Sequence, residues 1–124
     1  MSNAILSILP IYAEAIIQGT KTIEFRRTIF QKDIQKIYLY SSAPTKMILG
    51  YFTIKEVIEE TPKNLWERFN DVGGIEKEAF FEYFKETEKG FGILIDEVIA
   101  FEIPLDPIDF IKDFHGRGTY IYLE

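Results

Sequence analysis

The sequence predicts a small α+β domain whose strands form one closed or nearly closed sheet. Three observations lead there. The chain has 124 residues, enough for one domain and hardly two. Hydrophobic residues make up 47% of it and charged residues 27%, a mixture able to bury a core. About six segments read as strands, with two or three helices inserted among them, in the order strand, helix, then mostly strands.

Each element has its own signal. Ala4–Leu9 is a short apolar run closed by Pro10, which suits a buried strand. Ile11–Gln18 is helix-forming, with Pro10 at its start and Gly19 as its stop. In Thr20–Arg27, Ile23 and Phe25 alternate with Thr22, Glu24 and Arg26. A strand there turns the apolar pair into a core and the polar three to the other face. Ile34–Ser41 is rich in β-formers and ends at Ser42-Ala43-Pro44. Met47–Ile58 is the strongest strand signal, and Gly50 inside it marks a bulge or a close backbone approach.

The next stretch changes character. Thr61 and Pro62 supply an N-cap and a first helical position for a helix over Lys63–Phe69, with Leu65, Trp66 and Phe69 as its apolar stripe. After the break at Asp71–Gly74, Glu76–Lys89 reads as a second helix that buries Ala79, Phe80, Tyr83 and Phe84. Gly90-Phe91-Gly92 opens a strand through Ile93–Ile103, which Pro104 and Pro107 are expected to end. Ile108–Phe114 suits a short helical turn, and Thr119–Leu123 a final strand. No repeat, linker or low-complexity segment divides the chain, so residues 1–124 read as a single domain.

Composition excludes several chemistries. Without cysteine there is no disulfide, thiolate zinc site or cysteine nucleophile, and the single histidine, His115, rules out a multi-histidine metal site within one chain. No apolar run approaches the ~18 residues a membrane-spanning helix needs, and the start lacks the basic and apolar regions of a secretory signal. A cytoplasmic protein needing neither metal nor cofactor is expected. Charge is uneven: residues 1–55 carry seven bases and three acids, +4, whereas residues 56–124 stand at −10 within a net charge of −6. The net field repels phosphate, so indiscriminate coating of nucleic acid is excluded, while the basic half suits a local patch.

The chemistry concentrates in Gly19-Thr20-Lys21-Thr22-Ile23-Glu24-Phe25-Arg26-Arg27. Lys21 lies just past the helix stop and reaches over the sheet edge. Glu24 and Arg26, two apart, project from one side of the strand, with the Arg26 charge directed outward. A cation, a carboxylate acceptor and a planar fork then converge on one cleft, a set that suits a base edge together with a phosphate. The same residues also suit a surface ion-pair ladder on an exposed strand. Ser41 and Ser42, at a strand end, are candidates to hydrogen-bond a phosphate, and Lys46 extends the basic rim. Arg27 alternates to the other face. Tyr120 and Tyr122 share one face of the last strand, suited to base stacking or to barrel packing. His115 lies in a glycine-flanked loop, and Gly116-Arg117-Gly118 is too short for a phosphate loop.

Gly19, Lys21, Glu24 and Arg26 match the G-x-K-x-x-E-x-R signature of the ASCH domain family, which the chain resembles over nearly its whole length. Ile5–Pro10 followed by Tyr12-Ala13-Glu14 is similar to that family's opening strand and helix, and the later strands and middle helices also fit. The resemblance implies a PUA-like β-barrel of about six strands, with an N-terminal helix and two middle helices. It also implies a cleft beside the first helix, lined by the motif residues, that takes RNA or a nucleotide-like ligand. It further suggests a link to translation or transcription regulation. Some family members are enzymes, among them small bacterial acetylcytidine amidohydrolases that use a lysine, a threonine three residues later and a distant glutamate. Lys21 matches the lysine, but Glu24 stands in the threonine's place, and Asp71 and Glu76 are the nearest carboxylates to the glutamate's. Ribonucleases are also reported there, and Lys21 with Glu24 would be the acid–base pair of a hydrolase.

Overall fold

The computed structural model describes residues 2–116 and 120–123, so Met1, Arg117, Gly118, Thr119 and Glu124 lie outside the described residues. The chain runs β1 (Ser2–Ile8), α1 (Pro10–Gln18), β2 (Ile23–Arg26), β3 (Ile34–Ser41), β4 (Met47–Glu60), α2 (Pro62–Phe69), α3 (Lys77–Tyr83) and β5 (Gly90–Leu105). A 3-10 turn at Pro107–Asp109 and β6 (Tyr120–Leu123) follow. Gly19 caps α1 in the left-handed conformation, φ 85°, which a glycine adopts without steric cost and which turns the chain sharply into β2.

The strands form one sheet in the order β2-β5-β4-β3-β1-β6. β1 lies parallel to β3, so the connection between them, which carries α1, crosses over the sheet. The remaining neighbours are antiparallel. The sheet curls without closing through backbone hydrogen bonds, and side chains bridge its seam. The Arg26 guanidinium of β2 lies 5.9 Å from the Tyr120 ring of β6. The Tyr120 hydroxyl donates to the Thr28 carbonyl at 3.2 Å, and the Gln31 backbone N–H donates to the Tyr122 hydroxyl at 2.8 Å. The architecture is α+β with a barrel-like sheet, as the sequence predicts, and its two C-terminal tyrosines pack the barrel.

Alternation fills both faces. Ala4, Leu6 and Ile8 meet Ile37, Leu39, Phe52 and Ile93 inside the curl, covered by Ala13 and Ile16 of α1. Ile23 and Phe25 of β2 turn the other way, onto Leu65 of α2 and Phe80 of α3, with the Phe25 and Phe80 rings edge to face at 4.9 Å. Truncating a buried ring such as Phe80 costs about 3–5 kcal/mol, so this second cluster fixes the helical pair against β2. On the outer face Ile111 and Phe114 cover Ile5, Tyr40 and Ile48. The irregularity expected at Gly50 is present: the β3–β4 and β4–β5 registers both shift there, and a Cβ on Gly50 would sit 2.1 Å from the Ile99 carbonyl oxygen.

Several element ends differ from the sequence reading: β4 continues past Ile58 to Glu60, β2 is confined to Ile23–Arg26, and the turn expected over Ile108–Phe114 is a 3-10 turn at Pro107–Asp109. α3 stops at Tyr83 instead of continuing to Lys89, because Phe84 is the last apolar residue that reaches the core and Glu86 takes a positive φ of 63°. β5 runs through Pro104 to Leu105. Pro104 falls where the register slips between the Gly50–Ala100 and Ile48–Leu105 pairs, so its missing N–H interrupts no regular ladder position.

Candidate functional site

Four segments meet at the end of β1 and enclose a cleft of about 540 Å³. Ser7 and Ile8 end β1, Leu9 caps α1 and Tyr12 stands in its first turn, and Lys21, Glu24, Phe25 and Arg26 come from the chain entering β2 and from β2 itself. Ser42 lies beyond β3, and Ile75, Ala79, Glu82 and Tyr83 form the α3 side. Most of this lining is apolar or aromatic, so the polar groups on it act where water is scarce.

The charged trio forms one chain of contacts. Lys21 Nζ stands 3.5 Å from Glu24 Oε1, and Arg26 Nη1 stands 3.3 Å from Glu24 Oε2. Glu24 therefore holds both cations with one carboxylate. Lys21 also donates from Nζ to the Gly73 carbonyl oxygen. Its ammonium lies 5.4 Å from the Tyr12 ring centroid and 5.3 Å from that of Phe25, distances at which ring faces stabilise a cation. Burial lowers the Lys21 pKa from its usual value, and the adjacent Glu24 carboxylate only partly opposes this. Arg26 Nε is buried with no hydrogen-bond partner among the described residues, which leaves the guanidinium with unspent donor capacity.

The loop between α2 and α3 makes this burial possible. Val72 accepts a hydrogen bond from the Thr22 N–H at 3.0 Å, which docks the loop along the entry to β2. Gly74 has φ 62°, and a Cβ there would lie 2.9 Å from Lys21 Cβ, so glycine lets the loop close over the lysine stem. On the opposite wall the Arg27 N–H donates to the Tyr83 hydroxyl at 3.1 Å, while the Arg27 guanidinium lies 4.8 Å from the Tyr83 ring. Burial raises the Tyr120 pKa well above the usual tyrosine range, so this ring beside Arg26 keeps its proton.

Four of the six residues singled out from the sequence meet here: Lys21, Glu24, Arg26 and Ser42. Their exposure differs from expectation. Lys21 does not reach out over the sheet edge but is 3% exposed, and the Arg26 side chain is turned toward Glu24 at 16% exposure. Ser41 is fully buried, its Oγ without a hydrogen-bond partner among the described residues, and it does not line the cleft. Lys46 is exposed and also outside the lining, as is His115. Sequence reasoning missed Tyr12, Tyr83 and the Gly73 carbonyl. In sequence Tyr83 belongs to the apolar stripe of its helix, and a helical stripe cannot show where the core ends and a cleft begins. Gly73-Gly74 was readable only as a helix break. Among the described residues no group of three acidic or histidine side chains is placed to hold a metal ion.

Fold and site together define an ASCH-type domain, and the comparisons agree. The ASCH domain profile matches residues 6–104, so the chain belongs to the ASCH domain family. It is similar to an ASCH domain-containing ribonuclease of Zymomonas mobilis, with 29% identity over 108 residues, covering 86% of this chain and 70% of that protein. The crystal structure of ASCH from Zymomonas mobilis superposes with a TM-score of 0.92 at 25% identity, covering 98% of this chain and 87% of that one. The N-terminal domain of Staphylothermus marinus McrB shares the fold with a TM-score of 0.55 at 17% identity, covering 96% of this chain and 86% of that one.

Proposed function

We propose that this chain binds RNA through one nucleotide held in the cleft, with the base against the aromatic walls and its polar groups facing Lys21, Glu24 and Arg26. The observation that carries the reading is the buried Lys21–Glu24–Arg26 chain inside an otherwise apolar pocket of about 540 Å³. A volume in that range suits a nucleoside or mononucleotide. Tyr12 and Tyr83 supply stacking area, and the trio offers both donors and an acceptor to a base edge. Ser42 and Ser7, also on the lining, would meet the phosphate in this reading. A role in translation or transcription regulation belongs to the same reading.

One observation favours a second reading, RNA cleavage. Lys21 and Glu24 stand 3.5 Å apart in the cleft, an arrangement that would serve as an acid–base pair, and the similar Zymomonas mobilis protein is named a ribonuclease. Titration with uridine and cytidine monophosphates and with short single-stranded RNA, followed by product analysis, separates the two. Binding without turnover, weakened on the order of tenfold or more by Arg26→Ala, supports the binding module. Turnover by the wild type that falls roughly 10²–10⁴-fold in Glu24→Gln protein shown to be folded under the assay conditions overturns it in favour of the hydrolase.

A further inference from the structure

We propose that the outer face of β3, β4 and β5 is a stacking platform for single-stranded RNA, separate from the cleft. Tyr38 on β3 stands directly opposite Tyr51 on β4, and Phe101 on β5 completes a triangle of rings. Their centroids are 5.4, 6.2 and 6.3 Å apart, and each ring is half-buried. Lys36, two residues before Tyr38 and so on the same face, holds Nζ 4.7 Å from the Tyr51 centroid. Ile99, opposite Tyr51 on β5, is 42% exposed and extends the row. Ile111 and Phe114 cover the adjoining part of this face over Ile5, Tyr40 and Ile48; Tyr38 and Phe101 pack against the edge of that cluster, and Tyr51 lies outside it.

The occupant follows from what surrounds the rings. A purely apolar partner would leave the Tyr38 and Tyr51 hydroxyls, Thr53 and the Lys36 ammonium facing carbon. A single RNA strand meets all of them: bases on the rings, sugar hydroxyls on Thr53 and the tyrosines, and a phosphate on Lys36. Glu97, whose N–H donates to the Thr53 hydroxyl at 3.1 Å, is the acidic residue at the β5 edge of this row and sets the limit of the track. The platform shares no residue with the cleft lining, so the two surfaces can be tested apart.

The test uses labelled octauridylate for the platform and uridine monophosphate for the cleft, on the wild-type chain, Tyr51→Ala, Tyr51→Phe and Lys36→Ala. Tyr51→Ala is expected to weaken octamer binding about fivefold or more, with monophosphate binding unchanged. Tyr51→Phe keeps the ring and restores affinity. Lys36→Ala lowers the slope of log affinity against log salt by about 0.7, the share of one phosphate contact on a single strand, and it keeps the test open if Tyr51→Ala does not fold. Octamer binding that is absent from the wild type, or unchanged in both Tyr51→Ala and Lys36→Ala, overturns the platform. Loss of monophosphate binding alone, with octamer affinity still sensitive to Tyr51, supports the platform and removes the cleft reading.

Discussion

Lys21 and Glu24 form a buried ion pair, 3.5 Å apart with side-chain exposures of 3% and 6%, on the wall of a cleft that opens to solvent. Such a pair is poor as a source of stability, since desolvating two charges offsets much of their attraction. It does set donor and acceptor groups, already fixed, on the wall of the cleft. The contacts to Gly73, Arg26 and the Tyr12 ring make those positions fixed before binding.

Removing one partner leaves the other charge buried. Glu24→Gln is expected to lose about 3–5 kcal/mol, because it leaves Lys21 and Arg26 buried without their shared carboxylate, whereas Lys21→Met loses less, since Arg26 still holds Glu24 at 3.3 Å. The double variant should lose clearly less than the two single losses added together. Urea unfolding of all four proteins checks this. Additive losses would mean that the two side chains do not act as a pair.

The lowered Lys21 pKa has a pH signature. Between its folded value and the usual 10.5 the unfolded chain binds more protons than the folded one. The Lys21 contribution to stability therefore rises with pH across that window. Stability of the wild type minus that of Lys21→Met, followed by urea unfolding from neutral to alkaline pH, should increase over the range. Nuclear magnetic resonance of the lysine Cε positions should show Lys21 titrating below the exposed lysines.

Gly74 holds the loop over Lys21. Gly74→Ala forces a Cβ to within 2.9 Å of Lys21 Cβ at a backbone φ of 62°. The combined strain and overpacking are expected to cost about 1–3 kcal/mol and to weaken nucleotide binding along with it. Gly19→Ala is the comparison, since that position has positive φ but nothing within 4 Å of the added Cβ. It should cost about 1–2 kcal/mol and leave monophosphate affinity unchanged.

Local signals carried most of the fold. β3 has the predicted ends, Ile34 and Ser41, because a run of β-formers there is bounded by turn residues on one side and polar residues on the other. α1 ends where Gly19 stops it. The site was legible only as far as one strand's alternation reaches, which brought Glu24 and Arg26 together and set Lys21 near them. Burial of Lys21 depends on a loop some fifty residues away, whose Gly73 carbonyl accepts from Nζ, and nothing local to either segment announces that contact. Ser41 and Lys46 stand close in sequence to Ser42, but strand alternation turns Ser41 inward and the turn after β3 carries Lys46 away from the lining.

The central claim, that the Lys21–Glu24–Arg26 cleft receives a nucleotide, is tested most directly by a crystal structure of the chain with a short single-stranded RNA. The account predicts one base inside the cleft between the α1 and α3 walls, with its polar groups within hydrogen-bond distance of Lys21, Glu24 or Arg26. RNA bound elsewhere on the protein with the cleft left empty would contradict it.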